Sequence, residues 1–148
     1  MAPNDASSVV AFNHETDLLV IGGGVAGLSA TLFGEINGLR TLLCEKTSLL
    51  GGTTASSGGI VWAPLSGHAK RAGVSDSRED VRAYLRSELE PYFNAELADA
   101  FLESAHKAID TLETSSEVRF SYVPWPDYHP DRPGGVTAGR TLEAQRFD

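Results

Sequence analysis

The stretch that decides the fold is DLLVIGGGVAGLSATLFGEINGLRTLLCE, residues 17–45. Its pattern predicts a strand over residues 17–21, a glycine turn, a helix from about Val25 to Asn37–Gly38, and a second strand over residues 41–44. The first strand is apolar after its opening residue, as expected of a strand buried on both faces. The stretch therefore predicts a β-α-β unit of the α/β class, with a parallel sheet and flanking helices.

Three glycines in this stretch have a spacing that is typical of phosphate binding. Gly22, Gly24 and Gly27 follow the pattern G-x-G-x-x-G, directly after a strand and at the start of a helix. In this motif the first glycine permits a tight turn, the second lets a pyrophosphate approach the backbone, and the third allows close helix packing. Val25 and Ala26 begin the helix, whose N-terminal amides and dipole favour an anion. We predict a Rossmann-like dinucleotide-binding unit; the alternative is a glycine-rich turn that binds nothing.

An acidic residue closes the second strand. Glu45 lies 23 positions after Gly22, close to the roughly 20 expected of a carboxylate that binds a ribose hydroxyl. An acid at this position favours a ribose without a 2′-phosphate, because a 2′-phosphate is accommodated by arginine.

A second glycine-rich stretch follows at residues 51–64, GGTTASSGGIVWAP. Glycines interleaved with threonines and serines predict a loop whose amides and hydroxyls face anionic oxygens. A flexible linker is the alternative. The apolar run Ile60–Trp62 favours the first interpretation, because it is expected to anchor the loop to a core.

Composition and charge limit the classes of protein. The chain has 148 residues, 41% apolar and 22% charged, which is typical of one globular domain. A net charge of −8 argues against a nucleic-acid or anionic-membrane partner. Cys44 is the single cysteine, so we expect no internal disulfide, an inert core thiol and a cytoplasmic setting. We expect a flexible arm over residues 1–16 with no secretory leader, no membrane span and no metal site.

Further elements are predicted along the rest of the chain. Residues 66–76 read as an exposed polar connection in which His68, Lys70 and Arg71 are solvated. Two helices follow at about 77–90 and 95–112, the second with Asn94 as its N-cap. Residues 117–123 alternate as a strand with one buried face. The apolar stripes expected on the three helices are Leu28, Leu32 and Ile36; Val81, Tyr84, Leu85 and Leu89; and Leu97, Phe101, Ala105, Ala108, Ile109 and Leu112.

A proline-rich segment with two large aromatic residues runs over residues 124–135, PWPDYHPDRPGG. Because proline stiffens a loop, Trp125 and Tyr128 can be held in fixed places. One interpretation is a rigid aromatic edge of an apolar substrate pocket. The other is a packed surface loop.

These motifs resemble the flavoprotein family of fumarate reductases, succinate dehydrogenase flavoprotein subunits and ketosteroid dehydrogenases. The motifs are DLLVIGGGVAGLSA, LLCEK and GGTTASSGGIVWAP, and with PDYHPDRPGG and GRTLE the chain is most similar to the ketosteroid dehydrogenase branch. The resemblance implies an FAD cofactor and a Rossmann-like FAD-binding domain that is incomplete at its C-terminus. It implies that residues 17–148 are the N-terminal part of that domain, with helical cover at about 76–113.

The resemblance also implies roles for individual residues. The first-loop residues Gly22, Gly24, Val25, Ala26 and Gly27 would lie at the FAD pyrophosphate, and Glu45 would hold the adenosine ribose beside Lys46. A tyrosine of the aromatic loop would serve the reacting ketone, with Tyr128 as the first choice and Tyr122 as the second. The second-loop residues expected near the pyrophosphate and flavin are Gly52, Thr53, Thr54, Ser57, Gly58 and Gly59.

Four functions remain open at this stage. The first is an FAD-dependent dehydrogenase of CH–CH groups that acts on an apolar, ketosteroid-like substrate and needs the rest of the same polypeptide. The second is a fumarate-reductase-like enzyme, for which Arg132 and Arg140 would have to bind a dicarboxylate. The third is a flavin-binding module without activity of its own, and the fourth is an NAD-binding domain.

Overall fold

The structure is a computed structural model that describes residues 13–146. Most of the arm expected at residues 1–16 lies outside the described residues. In chain order the elements are β1 (Leu18–Ile21), α1 (Val25–Ile36), β2 (Thr41–Cys44), a 3-10 turn (Gly52–Ser56), β3 (Ile60–Trp62), α2 (Gly67–Arg71), α3 (Arg78–Leu89), α4 (Ala95–Ser115), β4 (Phe120–Val123) and β5 (Thr141–Ala144). They form two compact units, which meet in sequence between Ser56 and Ser57.

The first unit is a parallel β-α-β unit. Strands β1 and β2 pair in parallel, with Leu18 opposite Thr41 and Ile21 opposite Cys44. Helix α1 connects them and ends where expected, because Gly38 takes a left-handed φ of 80° just after the last turn. The predicted order and bounds of these three elements are confirmed.

Burial of the first strand differs from the prediction. Val20 is buried, but Ile21 is 82% exposed and Leu19 is also exposed. Helix α1 covers one face of the two-stranded sheet, and no other described element of this unit covers the second face. The prediction of burial on both faces is therefore wrong for this chain. Cys44 is exposed as well, so the prediction of a core thiol is also wrong.

Helix α1 meets the sheet through glycines. A Cβ on Gly34 would lie 2.6 Å from Cγ2 of Thr41, and a Cβ on Gly27 would lie 3.4 Å from Cγ1 of Val20. The expected contact stripe was Leu28, Leu32 and Ile36; Leu32 is half-buried, but Leu28 and Ile36 are exposed at the surface. The physical reason is distance, since glycine lets the helix axis approach the strands more closely than leucine would allow.

The second unit contains an antiparallel sheet in the order β3-β5-β4. Trp62 of β3 lies opposite Thr141, and Val123 of β4 lies opposite the same residue. Strand β4 begins at Phe120, three residues later than predicted, and has the predicted buried residue at Phe120. Strand β5 was not predicted from the sequence, although Leu142 is at the centre of the core with Ala63, Ile109 and Phe120.

Helices α3 and α4 pack beside this sheet and confirm the two predicted helices. Asn94 caps α4, because its side chain accepts a hydrogen bond from the Leu97 amide at 3.1 Å. The buried stripe of α4, however, is Ala98, Leu102 and Ile109, while Leu97 is 69% exposed. The first half of the predicted stripe is therefore displaced by one residue. No helix among residues 13–146 is both long enough and apolar enough to cross a membrane.

The segment expected to be an exposed connection contains a short helix. Ser66 is buried and caps α2 by accepting a hydrogen bond from the Ala69 amide at 3.3 Å. His68 is not solvated, because its Nε2 atom lies 2.8 Å from Oε2 of Glu113 on α4. Lys70 and Arg71 are exposed, as predicted.

Candidate functional site

The first glycine loop leaves open space beside the N-terminus of α1. Gly22 has a φ of 102°, a conformation that side-chain-bearing residues rarely adopt. Gly24 caps the helix without a side-chain hydrogen bond, and a Cβ there would meet no described atom within 4 Å. A Cβ on Gly27 would instead meet the carbonyl oxygen of Gly22 at 1.8 Å. The first two glycines thus shape a space, and the third packs the helix against the turn.

The second glycine loop docks on the first. The Gly51 amide donates to the carbonyl oxygen of Gly23 at 2.7 Å, and the Val25 amide donates to Oγ1 of Thr54 at 3.4 Å. A Cβ on Gly52 would lie 3.5 Å from Cα of Gly24. The structure therefore brings Gly52, Thr53 and Thr54 to the start of α1, as a short 3-10 turn within the expected loop.

Glu45 connects its strand end to both neighbouring loops. Its Oε2 atom accepts from the Gly23 amide at 2.7 Å, and its Oε1 atom accepts from the amide and hydroxyl of Thr47 at 3.0 and 3.1 Å. The hydrogen bond from Gly23, followed by that from Thr47, holds the pKa of the Glu45 carboxyl below its usual value. The carboxylate is thus kept charged and fixed beside the first loop. Lys46 next to it is exposed.

The remaining predicted cofactor residues belong to the second unit. Ser57, Gly58 and Gly59 lead into β3. The Gly59 amide donates to Oγ of Ser57 at 3.2 Å, and the Gly59 carbonyl accepts from the Ala144 amide at 3.1 Å. Gly59 has a φ of 68°, a backbone conformation that favours glycine at this corner.

The residues of the first unit fit a dinucleotide phosphate. A helix N-terminus whose N-cap residue makes no side-chain hydrogen bond presents amides and a positive dipole end to an anion. Open space at Gly24 permits the close approach that a pyrophosphate makes to the backbone. A fixed carboxylate at the end of the second strand suits a ribose hydroxyl.

The second unit contains an open, largely apolar groove of about 660 Å³. Trp62, Tyr84 and Leu85 line it from β3 and α3, and Trp125 and Tyr128 line it from the proline-rich loop. Tyr128 is 98% exposed, and its phenol makes no hydrogen bond to any described residue. The aromatic loop thus forms one edge of the groove, while Tyr122 packs against the hydrophobic core instead.

A buried ion network lies under this groove. The Arg140 guanidinium is inaccessible to solvent and lies 2.7 Å from Oδ1 of Asp76 and 2.8 Å from Oδ2 of Asp127. Both carboxylates are buried too. Because these acids neutralise Arg140, it is not available to bind a substrate carboxylate. Arg132 also donates to the protein, to the carbonyl oxygen of Ser87 at 2.7 Å.

Sequence reasoning missed several residues of the groove. Glu88 lines it, and its Oε1 atom lies 2.9 Å from Nδ1 of His129. The Tyr84 hydroxyl accepts from the His129 amide at 3.3 Å. Burial raises the pKa of the Tyr84 phenol, against the lowering effect of that hydrogen bond. Tyr84 and Glu88 lie four residues apart on α3, so helical spacing places them on one face, but nothing in the sequence indicates which loop packs there.

The sequence model of one protein family, described as "FAD binding domain", matches residues 17–147. The chain belongs to this family, and its cofactor is FAD. The prediction of a Rossmann-like FAD-binding domain is therefore confirmed.

Individual relatives define the branch. The chain is 37% identical over 136 residues to a 3-oxosteroid 1-dehydrogenase of Mycolicibacterium smegmatis, covering 91% of this chain and 24% of the relative. It is 37% identical over 127 residues to a 4-oxocyclohex-2-ene-1-carboxylate 5-dehydrogenase of Sinomonas cyclohexanicum, covering 85% and 21%.

A solved structure agrees with this assignment. The 3-ketosteroid delta1-dehydrogenase of Sterolibacterium denitrificans, in complex with 1,4-androstadiene-3,17-dione, matches with a TM-score of 0.83 and 30% identity. The match covers 90% of this chain and 24% of that one. The chain thus spans about a quarter of the length of the relatives it matches.

Proposed function

We propose that this chain is the N-terminal part of an FAD-dependent dehydrogenase that forms a carbon–carbon double bond next to a ring ketone, with 3-ketosteroids as the substrate class. The observation that carries the proposal is an apolar groove edged by the Tyr128 phenol, in a chain of the FAD-binding family. The relatives support it, because their names share a ring ketone and the removal of hydrogen.

The cofactor residues divide into three sets within this proposal. The first loop and the start of α1 hold the FAD pyrophosphate through Gly22, Gly24, Val25, Ala26 and Gly27. Glu45 accepts a hydrogen bond from the adenosine ribose, with Lys46 beside it. The second loop adds amides and hydroxyls near the pyrophosphate and the flavin, from Gly52, Thr53, Thr54, Ser57, Gly58 and Gly59. The open space at Gly24, and its position as an N-cap residue without a side-chain hydrogen bond, support this assignment.

Tyr128 is our candidate for the catalytic residue of this chain, with Tyr122 as the second choice. The reaction removes a hydride and a proton from adjacent carbons, and FAD supplies the hydride acceptor. A phenol that donates a hydrogen bond to the ketone oxygen makes the neighbouring C–H bond more acidic, because the developing enolate charge is stabilised. The exposed hydroxyl of Tyr128, at the edge of an apolar groove, is free of protein partners among the described residues and suits this role.

The groove favours an apolar ketone over a small dicarboxylate. Its volume of about 660 Å³ lies within the roughly 300–1,000 Å³ usual for ligand pockets. A fumarate-like substrate needs free arginines, whereas Arg140 is buried between two acids. Catalysis is assigned to the longer polypeptide, since the chain spans about a quarter of its relatives. A cytoplasmic location, which the single cysteine favours, belongs to the same proposal.

The substitution Tyr128→Phe tests the assignment in the longest polypeptide that carries this sequence. We expect kcat for a 3-ketosteroid to fall by about 10²- to 10⁴-fold, with unchanged flavin content. Tyr92→Phe is the matched control, because Tyr92 is also a highly exposed tyrosine but does not line the groove. Equal turnover of the two variants would contradict the role of Tyr128. If the wild-type protein oxidises 4-oxocyclohex-2-ene-1-carboxylate but no 3-ketosteroid, the substrate class is a monocyclic oxo-acid and not a steroid.

A further inference from the structure

The carboxylate of Asp127 joins the aromatic loop to the sheet beneath it. Its Oδ1 atom accepts the indole N–H of Trp62 at 2.8 Å. Its Oδ2 atom accepts from Nη1 of Arg140 at 2.8 Å and from the Val136 amide at 3.2 Å. The Asp127 amide in turn donates to the carbonyl oxygen of Val136 at 3.0 Å. One buried side chain therefore closes the loop on itself and attaches it to β3.

The same carboxylate controls two sides of the groove. Its chain neighbours Pro126 and Tyr128 line one side, and Trp62, which it holds by the indole, lines another. The Trp62 ring stacks on Phe101 at a centroid distance of 5.9 Å and an interplanar angle of 6°. A shift of Asp127 would therefore move the floor of the groove and its phenol-bearing edge together.

Arg140 holds Asp127 in place from below. Its guanidinium lies 5.9 Å from the Trp62 ring and 5.6 Å from the Tyr84 ring. On the other side of the guanidinium, Arg140 donates from Nε to Oδ2 of Asp76 at 3.1 Å and from Nη2 to Oδ1 of Asp76 at 2.7 Å. Removing one partner from a buried ion pair leaves an uncompensated charge, so the network favours one arrangement of its members.

We infer that Asp127 is a positioning residue that fixes Tyr128 at the edge of the groove through Trp62, Val136 and Arg140. The effect of Asp127 on turnover rests on the proposed function, whereas its effect on the position of Tyr128 rests on geometry alone. Displacements of about 1 Å at a reacting group can cost about 10²-fold in rate. Asp127 belongs to the lining of the groove, but its side chain is only 1% exposed. It can therefore set turnover through the residues that it holds in place.

The two acids of Arg140 provide a matched pair of variants. Asp127→Asn and Asp76→Asn each remove one negatively charged partner of the buried Arg140 guanidinium. Asp76 does not line the groove, so its loss is expected to lower the melting temperature without moving Tyr128. Both variants are made in the longest polypeptide that carries this sequence, and flavin content is measured in each.

Hydrogen exchange gives a readout that does not depend on activity. We expect Asp127→Asn to speed amide exchange over residues 124–136 relative to both the wild type and Asp76→Asn. We also expect its kcat for a 3-ketosteroid to fall by about 10²-fold at unchanged flavin content, while Asp76→Asn stays within a few-fold of wild type. Because the exchange comparison needs no turnover, it still decides the inference if the wild type does not oxidise ketosteroids and the proposed function fails.

Equal amide exchange over residues 124–136 in Asp127→Asn and Asp76→Asn would overturn the inference. If the enzyme oxidises ketosteroids, the inference is also overturned when Asp127→Asn shows faster exchange in this loop but keeps the wild-type kcat. If Asp127→Asn does not fold, Trp62→Phe replaces it, because phenylalanine keeps an aromatic ring and removes the indole donor. Faster exchange over residues 124–136 in Trp62→Phe than in Asp76→Asn supports the inference. Equal exchange in these two variants overturns it.

Discussion

Gly24 and Gly27 stand three positions apart in one turn, yet a methyl group at each would meet opposite surroundings. At Gly24 a Cβ faces open space, and at Gly27 it would lie 1.8 Å from a backbone oxygen. Since Gly24 has a φ of −78°, alanine is compatible with its backbone. The fold thus requires glycine at position 27, whereas glycine at position 24 is expected to serve the binding of the ligand.

We expect Gly27→Ala to destabilise the protein by about 1–3 kcal/mol, because the backbone must move to relieve the overlap. We expect Gly24→Ala to keep the melting temperature of the flavin-free protein but to weaken FAD binding about tenfold or more, equivalent to about 1.4 kcal/mol. Thermal melts of the flavin-free protein and an FAD titration measure the two effects. The same profile for both variants would contradict the assignment of Gly24 to the pyrophosphate.

Local sequence was sufficient to predict the roles of the glycines but not the pairing of the buried charged residues. The spacing of Gly22, Gly24 and Gly27 gave both the turn and the helix packing, since each depends on immediate neighbours. Arg140 and Asp76 lie 64 positions apart, so no local pattern indicates that they pair. Arg140 was for that reason considered for substrate binding, which its burial does not allow.

At the scale of elements, Glu113 links three of them. From α4 it accepts a hydrogen bond from the Phe120 amide at the start of β4 at 2.9 Å and pairs with His68 of α2. Burial alone would raise the pKa of the Glu113 carboxyl, but the bonds from His68 and Phe120 and the charge of Arg71 lower it below 4.5. Because the pKa is lowered in the folded state, the stabilisation is present above about pH 4.5 and is lost as the pH falls through the folded-state value.

We therefore expect Glu113→Gln to lower the free energy of unfolding at neutral pH by about 1–2 kcal/mol, as the charged acceptor is lost. The difference from wild type should shrink as the pH is lowered below about 4.5, because the wild-type carboxyl is then protonated as well. Denaturant unfolding at several pH values measures this. The exposed residue Glu117, close by in sequence, is the control, and Glu117→Gln should have little effect at any pH. A constant difference across the pH range would contradict this role of Glu113.

The existence of helices was easier to predict than the faces they bury. The capping signal at Asn94 is local, and the predicted cap is present. Ser75, Asp76 and Ser77 could each have capped α3, and the structure has Ser77 as the cap. The buried stripe of α4 runs through Ala98 and Leu102, because the surface opposite a helix decides which face is buried. Strand β5 was missed for a similar reason: it is short and is defined by pairing with β3 and β4 on both sides.

At the scale of the whole molecule, the dinucleotide motif and the groove belong to different units, while the predicted cofactor residues Ser57, Gly58 and Gly59 belong to the same unit as the groove. The first unit carries the glycine turn, α1 and Glu45, which were predictable because the motif is contiguous. The second carries the groove, whose walls come from α3, β3 and the proline-rich loop. Only the aromatic edge of that groove was predictable, since its other walls depend on tertiary packing.

The most direct test of the central claim is an anaerobic absorption spectrum of the longest polypeptide that carries this sequence, before and after adding a 3-ketosteroid that is saturated next to its ketone. We expect the purified protein to show the visible bands of oxidised flavin, and we expect the steroid, but not succinate, to bleach them. Flavin bands that stay unchanged with the steroid, or a protein that takes up no flavin at all, would contradict it.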